Sequence, residues 1–155
     1  MAEVPGLTLA LPAAAIAELV HEPALVRPPL ASAALAGLFC LRGQVVPVLR
    51  PDVLFALPPP PPGPFRVLVV FRAGIGVPGV WALLVERALG VLAPRQLAPV
   101  PPGHSLGGCV VALVPGCDVP VLAPERLLTQ SEAAVMADLA ERARARWKEF
   151  AGADG

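Results

Sequence analysis

Charge is scarce in this sequence: Lys and Arg number 12, Asp and Glu 12, so the formal net charge is zero and only 15% of residues are charged. Such a chain offers no basic field for nucleic acid and no acidic tail for a cationic partner. Long apolar runs are lacking as well. The most apolar uncharged stretches, residues 33–41 and 74–85, fall short of the ~18 to 20 residues of a membrane span and carry Gly or Pro, so no membrane insertion is expected. Residues 1–6 are acidic without a basic n-region, which argues against a secretory signal and for a cytoplasmic protein. Cysteines number 3 (Cys40, Cys109, Cys117), an odd count without CxxC spacing, and each lies in an apolar run or beside a turn. Buried reduced thiols are expected there, not a disulfide or a metal site.

Catalytic groups are equally few. His21 and His104 are the only histidines, neither has a GxSxG or HExxH context, and Ser105 beside His104 is adjacency rather than geometry. One enzyme-like motif occurs: Gly74-Ile75-Gly76-Val77-Pro78-Gly79 reads GxGxxG after a strong strand. In a dinucleotide site the free N–H groups of a following helix would hold the pyrophosphate. Pro78 removes one such donor, however, and no Asp or Glu occurs between Arg87 and Cys117 to meet a ribose. A glycine-rich turn is the expected reading. No catalysis, cofactor or metal is expected of this chain.

What is abundant is apolar side chain, 55% of 155 residues. A single domain of this length buries roughly 70% of its unfolded surface, and the apolar surplus implies surface reserved for partners. Short strands and Pro/Gly turns dominate. Leu7, Leu9 and Leu11 alternate with Thr8 and Ala10 up to Pro12; residues 16–20 form a second apolar run with Glu18 inside it. Prolines 23, 28 and 29 make residues 21–36 an extended loop. Further strands are expected at 37–41, 44–49, 66–71, 80–86, 88–92, 109–114 and 118–122, with Pro115-Gly116 as a hairpin turn. Residues 58–64 are the one low-complexity segment, read as a stiff polyproline connector in a Pro-rich loop over 57–64 rather than an SH3 ligand.

The end of the chain changes character. Thr129-Gln130-Ser131-Glu132 fits a capping box opening a helix to about Phe150. Met136, Leu139, Ala140, Ala143, Trp147 and Phe150 recur at helical spacing, as expected of a helix docked on its own domain, with partner binding as the alternative. Residues 151–155 should fray.

Residues 37–48, Gly-Leu-Phe-Cys-Leu-Arg-Gly-Gln-Val-Val-Pro-Val, carry the most information. Arg42-Gly43 between two apolar arms predicts a tight hairpin with glycine at positive φ and an arginine presented at its tip. Arg42 is either a handle for a partner or a plain solvent-exposed turn residue. This run resembles the G-x-x-x-L-R-G-x-x-x-P-V hallmark of the CheW-like adaptors of bacterial chemosensory systems. Ala10-Leu11-Pro12, then Ile16-Ala17-Glu18-Leu19, resemble the family's opening strand and its V-x-E-[IV] strand; residues 28–37 match its proline-bearing loop. Residues 84–91 are similar to V-D-x-V-x-G-V, with Glu86 for the aspartate and Ala88 for the second valine, and residues 108–128 fit its closing hairpin and final L-L.

The resemblance implies a mainly β fold of two SH3-like five-stranded barrels about a shared core in residues 1–128, here followed by the C-terminal α-helix at 129–150. It also implies a non-catalytic adaptor, recruited to receptor arrays, that couples the cytoplasmic tip of methyl-accepting chemoreceptors to the regulatory domain of a CheA-type histidine kinase. Carried onto this chain, Arg42 and Gly43 would contact partners, and Leu41, Val45, Leu84, Val85 and Glu86 would lie near the faces used for receptor or kinase. The alternative is an SH3-like regulatory module for another kinase or motility complex with a single partner; a nucleotide-binding enzyme using residues 74–79 is the third. Three departures stand out. Arg50-Pro51 replaces the usual Asp-Leu, exchanging a carboxylate for a cation and removing a backbone donor; Ala123-Pro124 replaces an aspartate; and the first strand begins hardly before Leu7.

Overall fold

Alternation along the hairpin arms organises the molecule. The computed structural model describes residues 1–4, 6–29, 31–58, 66–92, 96–100 and 108–153, the last four by backbone alone. β4 (Leu35–Leu41) and β5 (Gln44–Leu49) pair in antiparallel fashion around Arg42-Gly43. On β5, Val46 and Val48 point to one side and Val45 and Leu49 to the other, and both sides are buried. This is why the arms read apolar on both faces: the sheet is covered twice.

Three short elements precede them: β1 (Ala2–Val4), β2 (Leu7–Leu9) and β3 (Ile16–His21). β6 (Val67–Phe71), β7 (Trp81–Val85) and β8 (Arg87–Ala88) follow, then β9 (Val110–Val114) and β10 (Val119–Leu122). One 5-stranded sheet has the order β3-β6-β7-β5-β4, with the β5–β7 pair parallel and the others antiparallel. The other strands form β2-β1-β8 and β10-β9. These two pieces join at Ala10, whose N–H donates to Pro120 O (2.8 Å) and whose carbonyl accepts from Leu122 N–H (2.9 Å). A second five-strand array, β8-β1-β2-β10-β9, results.

Each array has its own apolar interior. Phe39, Val46, Val48, Leu68, Val70, Ala82 and Leu84 fill the first; Ala10, Ala112, Val114 and Val121 fill the second. Between them lies a larger cluster drawing on both, with Val4, Leu9 and Leu122 from one array and Leu49, Phe71, Trp81 and Leu83 from the other. Phe71 and Trp81 meet there with ring centroids 4.5 Å apart and planes tilted by 40°. The expected mainly β architecture about a shared core is what the chain adopts.

α2 (Gln130–Ala153) opens with the expected reciprocal cap: Thr129 N–H donates to Glu132 Oε2 (2.7 Å) and Glu132 N–H to Thr129 Oγ1 (3.2 Å). It continues to Ala153 rather than ending at Phe150. Met136 is buried, and Ala133, Leu139, Ala140, Ala143 and Trp147 pack beside it on the shared core, so the helix docks on its own domain. The side chain of Phe150, the polyproline run at 59–64, and His104 with Ser105 lie outside the described residues.

Several expectations need correction. The first strand does not begin near Leu7: β1 pairs with β2 through Ala2↔Leu9 and Val4↔Leu7. Three residues with Glu3 in the middle carry too little pattern to announce a strand, yet Ala2 and Val4 are buried and Glu3 is held by Arg87 at 2.6 Å. The strand expected at 88–92 shrinks to Arg87–Ala88, because only those two residues find a partner in β1. The loop expected over 21–36 yields His21 to β3 and residues 35–36 to β4, and within it Val26 bridges Leu38. Finally, Pro51 opens the short helix α1 (Pro51–Leu54) at a position where a missing N–H costs nothing.

Candidate functional site

The hairpin tip is built by its backbone. Arg42 (φ +48) and Gly43 (φ +80) both take positive φ, the signature of the two-residue turn that matches strand twist. Only the glycine was expected there; the arginine adopts a conformation uncommon outside glycine. Its side chain is 76% exposed but not idle. Arg42 Nη1 and Nη2 donate to Glu18 Oε1 (2.6 Å) and Oε2 (3.0 Å), a two-pronged pair. Glu18 sits on β3, at the opposite edge of the sheet from β4, so this pair fastens the first strand of the array to the last. Sequence reasoning noticed Glu18 as a lone charge in an apolar run without naming its partner 24 residues away.

The other expected site residues are not gathered around that tip. Leu41 is half-buried against the first interior, and Val45 is 6% exposed beneath α2. Leu84 and Val85 are 7% and 1% exposed and belong to the interiors themselves, while Glu86 is half-buried with its N–H donated to Glu3 O at 2.8 Å. The parallel register Val48↔Ala82 and Leu49↔Leu83 sets residues 84–86 level with residues 50–52. Glu18, which Arg42 grips, pairs with Val70 of β6 and Val70 with Ala82 of β7, so residues 84–86 follow on two strands away from that ion pair. The hairpin turn and residues 84–86 are thus two stretches of one closed array.

A carboxylate, Asp52, stands two residues beyond the position that Arg50 takes from the usual aspartate. Asp52 is the buried charged residue among the described ones, accepting from Arg50 Nε (3.2 Å) and Nη2 (2.6 Å). That hydrogen bond raises the Arg50 pKa, partial burial opposing it and the Asp52 charge adding to it. At the other departure, Ala123 is buried and its N–H donates to Cys109 O at 2.8 Å.

Grooves flank α2 on both sides. One of about 380 Å³ runs between Val45, Pro47 and Val77 and the helix residues Met136 and Ala140; the other, about 240 Å³ and mostly apolar, lies among Leu35, Leu49, Leu54, Val135 and Leu139. Glycines 74 and 76 (φ +90 and +74) shape a loop joining β6 to antiparallel β7, with no helix after it to present N–H groups to a phosphate. Cys109 is buried, which pushes its thiol pKa up, whereas Cys40 and Cys117 are exposed, contrary to the expectation that all would be buried. Among the described residues no group of three His, Cys, Asp or Glu side chains could hold a metal, and no helix is long and apolar enough to cross a membrane.

The family model for the CheW-like domain matches residues 1–132, and the chain belongs to that family. Among solved structures it is similar to the scaffolding protein TtCheW from Thermoanaerobacter tengcongensis, with a TM-score of 0.68 at 15% identity over 78% of this chain and 83% of that one. At that identity the likeness is one of fold. No curated protein sequence matches.

Proposed function

We propose that this chain is a non-catalytic, cytoplasmic adaptor of chemosensory signalling that couples the cytoplasmic tip of a methyl-accepting receptor to the regulatory domain of a CheA-type histidine kinase. The observation that carries the reading is the CheW-like family match over residues 1–132, supported by a fold shared with a scaffolding protein. The physical arrangement suits it. An exposed arginine at a turn and a half-buried Glu86 at the end of another strand offer two candidate contacts, as a bridge between two partners requires, and apolar anchors with a charged rim are the usual makings of such contacts. Arg42 and Gly43 with Leu41 and Val45 would serve one contact, Leu84, Val85 and Glu86 the other.

Calorimetry with the receptor tip and the kinase regulatory domain of the same organism, each separately, tests this. Micromolar binding to both is expected. Arg42→Asp should abolish one of the contacts while lowering stability by at most about 1 kcal/mol, the scale of an exposed ion pair. Because Arg42 also fastens Glu18, the exchanged pair Arg42→Glu with Glu18→Arg is the needed companion: it restores the fastening and should still fail to bind. Recovery of binding in the exchanged pair would reduce Arg42 to a structural residue. Binding to one protein only would support the single-partner module, and binding to neither would reject the adaptor reading.

A further inference from the structure

We propose that α2 is a displaceable cover over the apolar strip of β5, and that it gives way when an amphipathic helix of the receptor tip docks there; this rests on the adaptor reading above. The strip is helix-shaped because a helix already fills it: Val45 and Leu49 lie under Met136, Leu139 and Ala140. That occupant is weakly held. Among its described side chains only Met136 is buried, and the rest of its inner face is half-buried. Open grooves of about 380 and 240 Å³ run along its flanks, so solvent reaches both edges of its contact with β5.

Polar contacts do not fix it either. Its ion pairs, Asp138–Arg142 (2.9 Å) and Glu141–Arg144 (3.9 Å), are both internal, and its capping bonds go to Thr129 at its own start. No ion pair or side-chain hydrogen bond joins its later turns to the strands among the described residues. The family match also stops at residue 132, so nearly the whole helix lies beyond the shared domain. An incoming helix with a similar apolar face can therefore take the same strip, and the Thr129 cap leaves a hinge at which α2 swings away. Free protein is then mostly in the covered form, and its apparent affinity is reduced by the uncovered fraction.

Amide hydrogen exchange on the full chain is the first measurement, alone and then with the purified receptor tip. In the free protein the amides of 134–149 should exchange well before those of Val46 and Leu83, by local opening. Adding the tip should speed exchange in α2 while protecting β5. In parallel, Ala140→Glu, which sets a charge on the half-buried inner face, should bind the tip about tenfold more tightly. Ala143→Glu should act likewise one turn on, and Ala145→Glu on the exposed side should leave affinity unchanged, each checked for an unaltered strand core. Exchange of α2 in step with β5 and β7, or affinity unchanged or weakened in both inner-face variants, overturns the cover and leaves the adaptor reading standing. Absence of tip binding by every variant overturns the adaptor reading and the displacing partner with it.

Discussion

Gly74 and Gly76 separate two costs that a glycine loop usually mixes. Both take positive φ, but a Cβ on Gly74 would meet open space, whereas one on Gly76 would come within 3.1 Å of Glu125 Cα. Gly74→Ala should therefore lose about 1–2 kcal/mol of stability from backbone conformation alone. Gly76→Ala should lose more, because the 3-10 turn Pro124–Arg126 must retreat as well. Urea unfolding of the two variants would show it, and equal losses would mean that the turn gives way freely. The cysteines divide just as clearly. Cys40 and Cys117 should react with an aromatic disulfide reagent in the native protein, while Cys109, its thiol held protonated by burial, should react only once the chain unfolds. Three thiols titrating at once in native buffer would contradict the burial.

Among the elements, α2 was legible because its start is written in local chemistry, a threonine and a glutamate three apart, and its face in apolar spacing. Thr129→Ala removes half of that cap and should cost about 1 kcal/mol; far-UV circular dichroism during thermal unfolding would register the lower midpoint. The hairpin at Arg42-Gly43 was legible for the same reason, since two residues between apolar arms leave few choices. β1 was not, because a three-residue strand owes its existence to β2 and β8 rather than to its own pattern. α1 was missed because Pro51 reads as a break when it is in fact a beginning. The candidate site was legible only in part: the exposed tip could be read from its turn, but the burial of Leu84 and Val85 follows from sheet order, which no local pattern contains. The pairing of Arg42 with Glu18 depends on the closure of a five-strand array and is equally invisible in either segment alone.

Over the whole molecule, the shared cluster between the arrays governs cooperativity. Leu9 and Leu122 from one side meet Leu49, Trp81 and Leu83 from the other, so neither array can lose its packing alone. Thermal unfolding should be a single transition, with the fluorescence of Trp81 and Trp147 and the far-UV signal of strands and helix coinciding. Separate transitions would mean that the arrays are independent units. The strand order has a different consequence, for time. β4–β5 and β6–β7 are sequence-local hairpins, but the contacts that assemble them reach from Glu18 to Val70 and from Val48 to Ala82. Local hairpins close within ~10 μs, whereas stitching across such separations belongs to the millisecond-to-second regime. The nascent chain thus holds the β4–β5 edge unpaired until β7 has been synthesised and slid in beside it, so the rate of folding is set by the insertion of one hairpin between two strands that precede it.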